Sequence, residues 1–491
     1  MAISTDPRGN EAQAGALRRM TFTWMFTVLT LFPVLLVLGF FMRALQANFM
    51  TKLQPEWFYA VLTLHGLGMV GIWYVGSMAG VSYLLGRYVR PSLAISKIAF
   101  GATLLGVVLL LACTLIGRMG VGWYFLYPLP LHSKGVWPPW ATGAFLGSLA
   151  VFGVGWTLWS LDLLRAIAQR YSFSAAMAWH YLKGRSEPEV PPLVLIVTVS
   201  MVSALAGFVA AVVVLVLYVA EWLGTGFTND ALLMKNLTFF FGHVLVNITM
   251  YLGVAMVYEL LPAYAQRPWK TNKVMALAWN TVLFLVMFAY LHHLYMDFAQ
   301  PHWLQYLGQI ASYMISVPAA VVSIFGALVL VYGSRMRWNM VSLLLCFGVM
   351  GWAIGGVAAV IDSTVAVNVR FHNTLWVPAH FHTYYLMGAV LMILGFASYL
   401  GEERGQLAER MGLTKLTVSL IVLGGYGFLL MFYYGGAHSV PRRYASYPQE
   451  VAQGAAYARL ALVFISALLL GVLLYLWDTG RRCWRSFSVS S

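Results

Sequence analysis

Apolar runs of bilayer length constrain this chain more than any other feature. A helix needs about 20 consecutive apolar residues to cross a hydrocarbon core. Twelve such runs can be traced, near residues 21–43, 57–85, 97–116, 139–166, 191–222, 232–262, 273–296, 304–331, 339–361, 377–400, 414–437 and 456–477. Helix is the state open to them, because backbone groups in lipid must pair within their own segment. Composition agrees: 61% of the 491 residues are hydrophobic and 9% charged, against roughly a quarter charged in soluble domains. The expected fold class is an all-α membrane protein with twelve transmembrane helices. Residues 21–477 form a single domain between an N-terminal tail (1–20) and a C-terminal tail (478–491).

The formal net charge of +14 would suggest nucleic acid in a soluble protein. Here the basic residues fall in short loops between apolar runs, so no nucleic-acid partner is expected and the lipid bilayer is. Arg18 and Arg19 precede the first span. Arg87, Arg90 and Lys97 follow the second; Arg165, Arg170, Lys183 and Arg185 the fourth; Arg267, Lys270 and Lys273 the sixth. Arg335 and Arg337 follow the eighth, Arg404, Arg410 and Lys415 the tenth, and Arg481, Arg482 and Arg485 the last. These loops all share one side. The other side holds fewer basic residues, such as Arg118, Lys134, Lys235 and Arg370. By the positive-inside rule both termini are cytoplasmic. The N-terminus is polar and has no apolar core of the kind a cleaved signal needs. Cys113, Cys346 and Cys483 lie far apart, with no metal-type spacing and no disulfide framework.

Ionisable side chains inside a span are expensive and therefore functional candidates. Of eleven histidines, His132, His180, His302, His372 and His438 fall in loops or near span ends. His65, His243, His292, His293, His380 and His382 fall within spans. Topology puts all six in the outer third of their helices, at one depth, on four helices. His292 and His293 are neighbours, about 100° apart on an α-helix, so their imidazoles can converge on one metal, and His243 from the adjacent helix could complete a three-imidazole site. His380 and His382 are about 200° apart and face opposite ways, so each can hold a separate flat cofactor. Haem iron suits this, since histidine is a common axial ligand. His65 is left as the second axial ligand of one haem. A transporter would also bury polar groups but has no use for paired histidines at one depth, and a non-catalytic haem subunit would not need the three-histidine site.

The stretches HNTLWVPAHFH (372–382), LHHLYM (291–296) and TLHGLGM (63–69) resemble the catalytic subunit of the haem-copper oxidase superfamily, with greatest similarity to its B-type oxygen reductases, over nearly the whole chain. The resemblance implies the twelve-helix bundle of that superfamily, with two haems and one copper. It implies a low-spin haem iron on His65 and His382, a high-spin haem iron on His380, and copper on His243, His292 and His293. HNT (372–374) and PRR (441–443) resemble its haem-propionate cradle, which makes His372, Asn373, Arg442 and Arg443 the propionate partners. Tyr258 resembles part of a proton pathway from the cytoplasm. The location implied is a prokaryotic inner membrane. The partners implied are a smaller subunit bearing copper or a c-type haem and an outer donor such as cytochrome c or a cupredoxin.

One position departs from the pattern. Most oxygen reductases of this superfamily carry HxxxY where this chain has His243-Val-Leu-Val-Asn247. Splitting O₂ in one step takes four electrons: two from the haem iron, one from copper and one from that tyrosine. Asparagine is neither redox-active nor a useful proton donor, so the fourth electron is missing unless a tyrosine reaches in from another helix. Tyr251 lies two turns deeper on the same span, and Tyr290 and Tyr295 flank the histidine pair. Coupling two NO needs only two electrons. Known nitric oxide reductases of the superfamily carry HxxxE with non-haem iron, and no Asp or Glu occurs between Asp230 and Glu259. Three imidazoles without a carboxylate favour copper over iron. The expected activity is NO reduction, with Asn247, His380, His243, His292 and His293 as the reacting site. The alternative is a B-type terminal oxygen reductase making water from O₂.

Overall fold

The computed structural model describes residues 7–50, 53–184, 189–403 and 409–488. Arg185 and Arg404 lie outside the described residues, as do the side chains of Cys483 and Arg485. Twelve helices are long and apolar enough to cross a membrane: α1 (Gln13–Gln46), α2 (Pro55–Leu85), α3 (Leu93–Ile116), α4 (Pro139–Ala168), α5 (Pro192–Trp222) and α6 (Ala231–Ala265), followed by α7 (Lys273–Leu294), α8 (Trp303–Val331), α9 (Met340–Asp362), α10 (Trp376–Glu402), α11 (Met411–Ala437) and α12 (Gln453–Arg482). The runs traced in the sequence all appear, and several are longer, since a helix need not stop where the hydrocarbon does. The first helix already begins at Pro7 and the last continues to Ser488. Apart from one isolated bridge between Thr374 and Pro441, no β-structure occurs among the described residues.

Helix starts follow local chemistry. Proline opens α2, α4 and α5, where its missing N–H would have no partner anyway. The side chains of Asp230 and Asn272 cap α6 and α7 by accepting from Leu233 and Met275 N–H, and Asn339 and Ser342 form a reciprocal capping box on α9.

Sequence neighbours pack as antiparallel pairs, α1 on α2, α3 on α4, α5 on α6, α7 on α8, α9 on α10 and α11 on α12. The contact of α1 with α12 brings the two ends of the chain together. At the centre stand α6 and α10, each with 83% of its most apolar window buried inside the protein, against 22% for the peripheral α8. These two helices carry His243, Asn247, His380 and His382. Close approach of α10 to α9 depends on glycine. A Cβ at Gly351 would strike Met387 O and one at Gly355 would meet Tyr384 Cα at 2.7 Å, so neither position has room for a side chain. Directly after Tyr384, α10 widens into a π-helical turn (Tyr385–Val390), a distortion frequent at functional sites.

Candidate functional site: a histidine-lined cavity

One cavity of about 660 Å³ is lined by all six intramembrane histidines, and Asn247, Arg442 and Arg443 line it too. On one side of α10 the rings of His65 and His382 face each other nearly parallel, 23° apart, with centroids at 6.5 Å. Imidazole nitrogens bind metal at about 2.0–2.1 Å, and with each ring centre lying about 1.1 Å further out, an iron held between two rings needs a centroid separation of about 6.3 Å. The observed gap matches. Each Nδ1 is already engaged, that of His65 donating to Leu35 O at 2.8 Å and that of His382 to Pro378 O at 2.7 Å. This fixes the tautomer and leaves Nε2 as the ring nitrogen each has free for a metal.

On the other side of α10, His243, His292 and His293 offer ligand nitrogens that all lie within 4.8 Å of one another. The ring of His243 stands edge-on to His292 (5.2 Å, 80°) and His293 (5.5 Å, 67°). The sequence reading put the adjacent histidines on α-helix. They occupy a 3₁₀ turn, Tyr290–Leu294, which spreads neighbours by about 120° rather than 100°. Ser312 on α8 donates its hydroxyl to Gly308 O at 2.7 Å, so its oxygen accepts from His292 Nδ1 at 3.1 Å. His292 therefore presents Nε2 to the cluster. No carboxylate belongs to the cluster among the described residues.

Asn247 lies against this cluster. Its Nδ2 donates to His243 O at 2.8 Å and sits 3.4 and 3.3 Å from the two ring nitrogens of His243. Being nearly equidistant from both, the amide lies over the ring and leaves its in-plane lone pair free. Its Oδ1 accepts from Tyr384 at 2.8 Å. Tyr384 belongs to α10 and lines the same cavity. Sequence reasoning missed it, although it stands four residues after His380 and so on the same helix face. Of the tyrosines named from the sequence, Tyr251 lines the cavity and packs edge-on to Trp279 (5.4 Å). Tyr290 packs edge-on to Phe240, and Tyr295 donates to Ser363 O at 3.1 Å; neither is among the cavity-lining residues. Tyr258 lies deeper, donating to Val322 O at 2.7 Å with Ser323 Oγ 3.2 Å away, on the π-helical turn of α8.

At the mouth, Arg442 donates from Nε and Nη2 to Asn373 Oδ1 at 3.3 and 2.9 Å, and its N–H to Asn373 O at 2.9 Å. The Arg443 guanidinium lies 3.7 Å over the Tyr124 ring. Neither arginine has a carboxylate partner among the described residues. Burial, then the adjacent Arg442, pushes Arg443 down to about 9. Burial, then Arg442, pushes His372 down to about 4. The rim is a pair of cations with no carboxylate in ion-pair contact among the described residues, chemistry that carboxylates of a bound cofactor would complete.

Residues 19–470 match the sequence profile of the family described as cytochrome c and quinol oxidase polypeptide I. Similar curated proteins include cytochrome c oxidase subunit 1 of Synechocystis sp., 24% identical over 86% of this chain and 77% of that one. Others are the haem-copper oxidase subunit I+III of Aeropyrum pernix (25%, 88% of this chain, 52% of that one) and cytochrome c oxidase subunit 1 of Bacillus subtilis (24%, 80% and 62%). A cryo-EM structure of a haem-copper terminal oxidase dimer shares the fold, with TM-score 0.72 and 20% identity over 95% of this chain and 84% of that one.

Proposed function

The chain belongs to the family of cytochrome c and quinol oxidase polypeptide I, and from that premise we propose that it is the catalytic subunit of a respiratory nitric oxide reductase, converting two NO, two electrons and two protons to N₂O and water. The observation that carries this reading is Asn247, an amide resting on His243 where the superfamily's oxygen reductases usually keep a redox-active tyrosine. Bound haem iron and copper would together supply both electrons.

His65 and His382 hold the low-spin haem, His380 the high-spin one, and His243, His292 and His293 the copper. The all-imidazole donor set supports copper over non-haem iron, which usually adds an oxygen ligand. Phe381 lies between the two haem ligands of α10 and stacks on Tyr385 at 5.3 Å and on Trp123 at 6.2 Å, making an aromatic partition between the two haem sites. The Asn247 amide is a neutral donor for a developing N–O⁻ oxygen. Arg442, Arg443, Asn373 and His372 hold the propionates. Tyr258 and Ser323 begin a proton route along α8, continued by Ser316 and Ser312, which line the cavity. A smaller subunit bearing copper or haem c passes electrons from an outer donor, such as cytochrome c or a cupredoxin, in a prokaryotic inner membrane.

Oxygen reduction is the second reading, and Tyr384 favours it, because a phenol from another helix does reach the site and could give the fourth electron with its proton. The named relatives are also oxidases. NO and O₂ consumption by the purified complex, measured side by side with metal analysis, separates the two. NO turnover with one copper and two haems is expected. Rapid O₂ turnover with negligible NO turnover would sink the first reading.

A further inference from the structure

Which end of the Asn247 amide is the NH₂ and which the carbonyl is settled by its neighbours. One end meets the carbonyl oxygen of His243 at 2.8 Å, and a carbonyl can only accept, so that end is the NH₂. The other end is then the carbonyl, and the Tyr384 hydroxyl 2.8 Å away must donate to it. One N–H of the amide is used on His243 O. The other has no second carbonyl to meet among the described residues; its nitrogen lies 3.4 and 3.3 Å from the two ring nitrogens of His243, in the cavity that both residues line with His243 and His380.

We infer that Tyr384 is a positioning residue: its hydroxyl pins Asn247 Oδ1 so that the remaining amide N–H is held toward a diatomic ligand bound between His380 and His243. This rests on reading Asn247 as the ligand-facing amide. Two consequences follow from the chemistry. A hydrogen bond accepted at the amide oxygen polarises the amide and strengthens its N–H as a donor. The phenol proton rests on Asn247 Oδ1 in this arrangement, so in the NO reading Tyr384 orients the amide and is given no proton-donor role. The anchoring is rigid at both ends. Tyr384 Cα would lie 2.7 Å from a Cβ on Gly355 of α9, and the π turn begins at the next residue. The hydroxyl anchors the carbonyl end of the amide, as His243 O anchors the NH₂ end.

The C–O stretching band of the dithionite-reduced, CO-bound holoenzyme reads this directly and does not depend on which gas the enzyme turns over. Failure of the NO reading would appear in turnover; failure of this inference would appear in the band. Asn247→Leu should shift the band by removing the donor. Tyr384→Phe should shift it in the same direction or split it, with haem content unchanged, and Tyr384→Phe added to Asn247→Leu should do nothing further. A Tyr384→Phe band identical to wild type overturns the proposal, as does a Tyr384→Phe shift that persists undiminished in the Asn247→Leu background. Should Tyr384→Phe fail to assemble, uniform 3-fluorotyrosine labelling makes the phenol a stronger donor without altering the fold. The band must then move in the wild type and stay fixed in Asn247→Leu; no movement in the wild type overturns the proposal.

Discussion

His65, His382 and His292 each have Nδ1 engaged, by Leu35 O, Pro378 O and Ser312 Oγ respectively, so each must use Nε2 for a metal. Partners of this kind orient a ligand and raise its basicity, and losing one typically costs about 10–100-fold in metal affinity. Ser312→Ala is therefore expected to lower copper occupancy under mild chelation while both haems remain, a result that copper analysis beside reduced-minus-oxidised spectra would reveal. Backbone acceptors for His65 and His382 cannot be deleted this way, so that haem should be the more robust one. In the proposed reaction Asn247 would act on substrate instead of metal. Removing a preorganised donor to a developing oxyanion costs about 10²–10³ in kcat, so Asn247→Leu should slow NO consumption by about a hundredfold at unchanged metal content; a variant that turns over NO like wild type would leave the amide no catalytic part. The histidines were legible in the sequence because charge-capable groups in hydrocarbon stand out. Tyr384 was not, since one phenol among 27 tyrosines reads as packing. Its meaning appears only when spacing is counted from His380 and not from His243. Ser312 was equally silent, being one of many span serines that can satisfy their own helix.

Helices impose their own constraints on these residues. The contact between α9 and α10 is set by Gly351 and Gly355, where an added Cβ would strike backbone atoms of α10, which cannot rotate away as a side-chain tip can. Overpacking of this kind costs about 1–3 kcal/mol, and the strain would fall on the turn that carries His380 and Tyr384. Gly355→Val should weaken or abolish the CO-reactive haem signal while sparing the bis-histidine haem signal, whereas Gly101→Ala on α3, away from the cavity lining and with nothing within 4 Å of its Cβ, should leave both intact. Equal loss in the two variants would locate the effect elsewhere. Hydropathy alone revealed where each span lies, because burial in lipid demands only length and apolarity. It was blind to the 3₁₀ end of α7 and the π turns of α8 and α10. Those departures are local compromises between helix hydrogen bonding and contacts with neighbouring helices, and a single span's pattern does not record its neighbours.

Across the whole molecule the two ends of the bundle differ in how their charges are balanced. At one end Arg87 meets Glu259 at 2.9 Å and Glu403 at 3.6 Å, Arg18 lies 4.0 Å from Glu403, and Arg337 meets Glu402 at 2.8 Å. These pairs tie α1, α2, α6 and α10 together at the end where the basic loops gather. The histidine cavity opens toward the other end, where Arg442 and Arg443 have no carboxylate among the described residues. From the loop charges, read by the positive-inside rule, we propose that the first end faces the cytoplasm and the cofactor rim the outside, the side from which the proposed donor would deliver electrons. Single cysteines test this in a Cys483→Ser background, the remaining Cys113 and Cys346 lying within spans α3 and α9. A membrane-impermeant maleimide should label Lys134→Cys in intact right-side-out vesicles. It should label Lys183→Cys only after the membrane is opened. The opposite pattern would invert the bundle, and with it the side of electron entry, while leaving every distance inside the cavity unchanged.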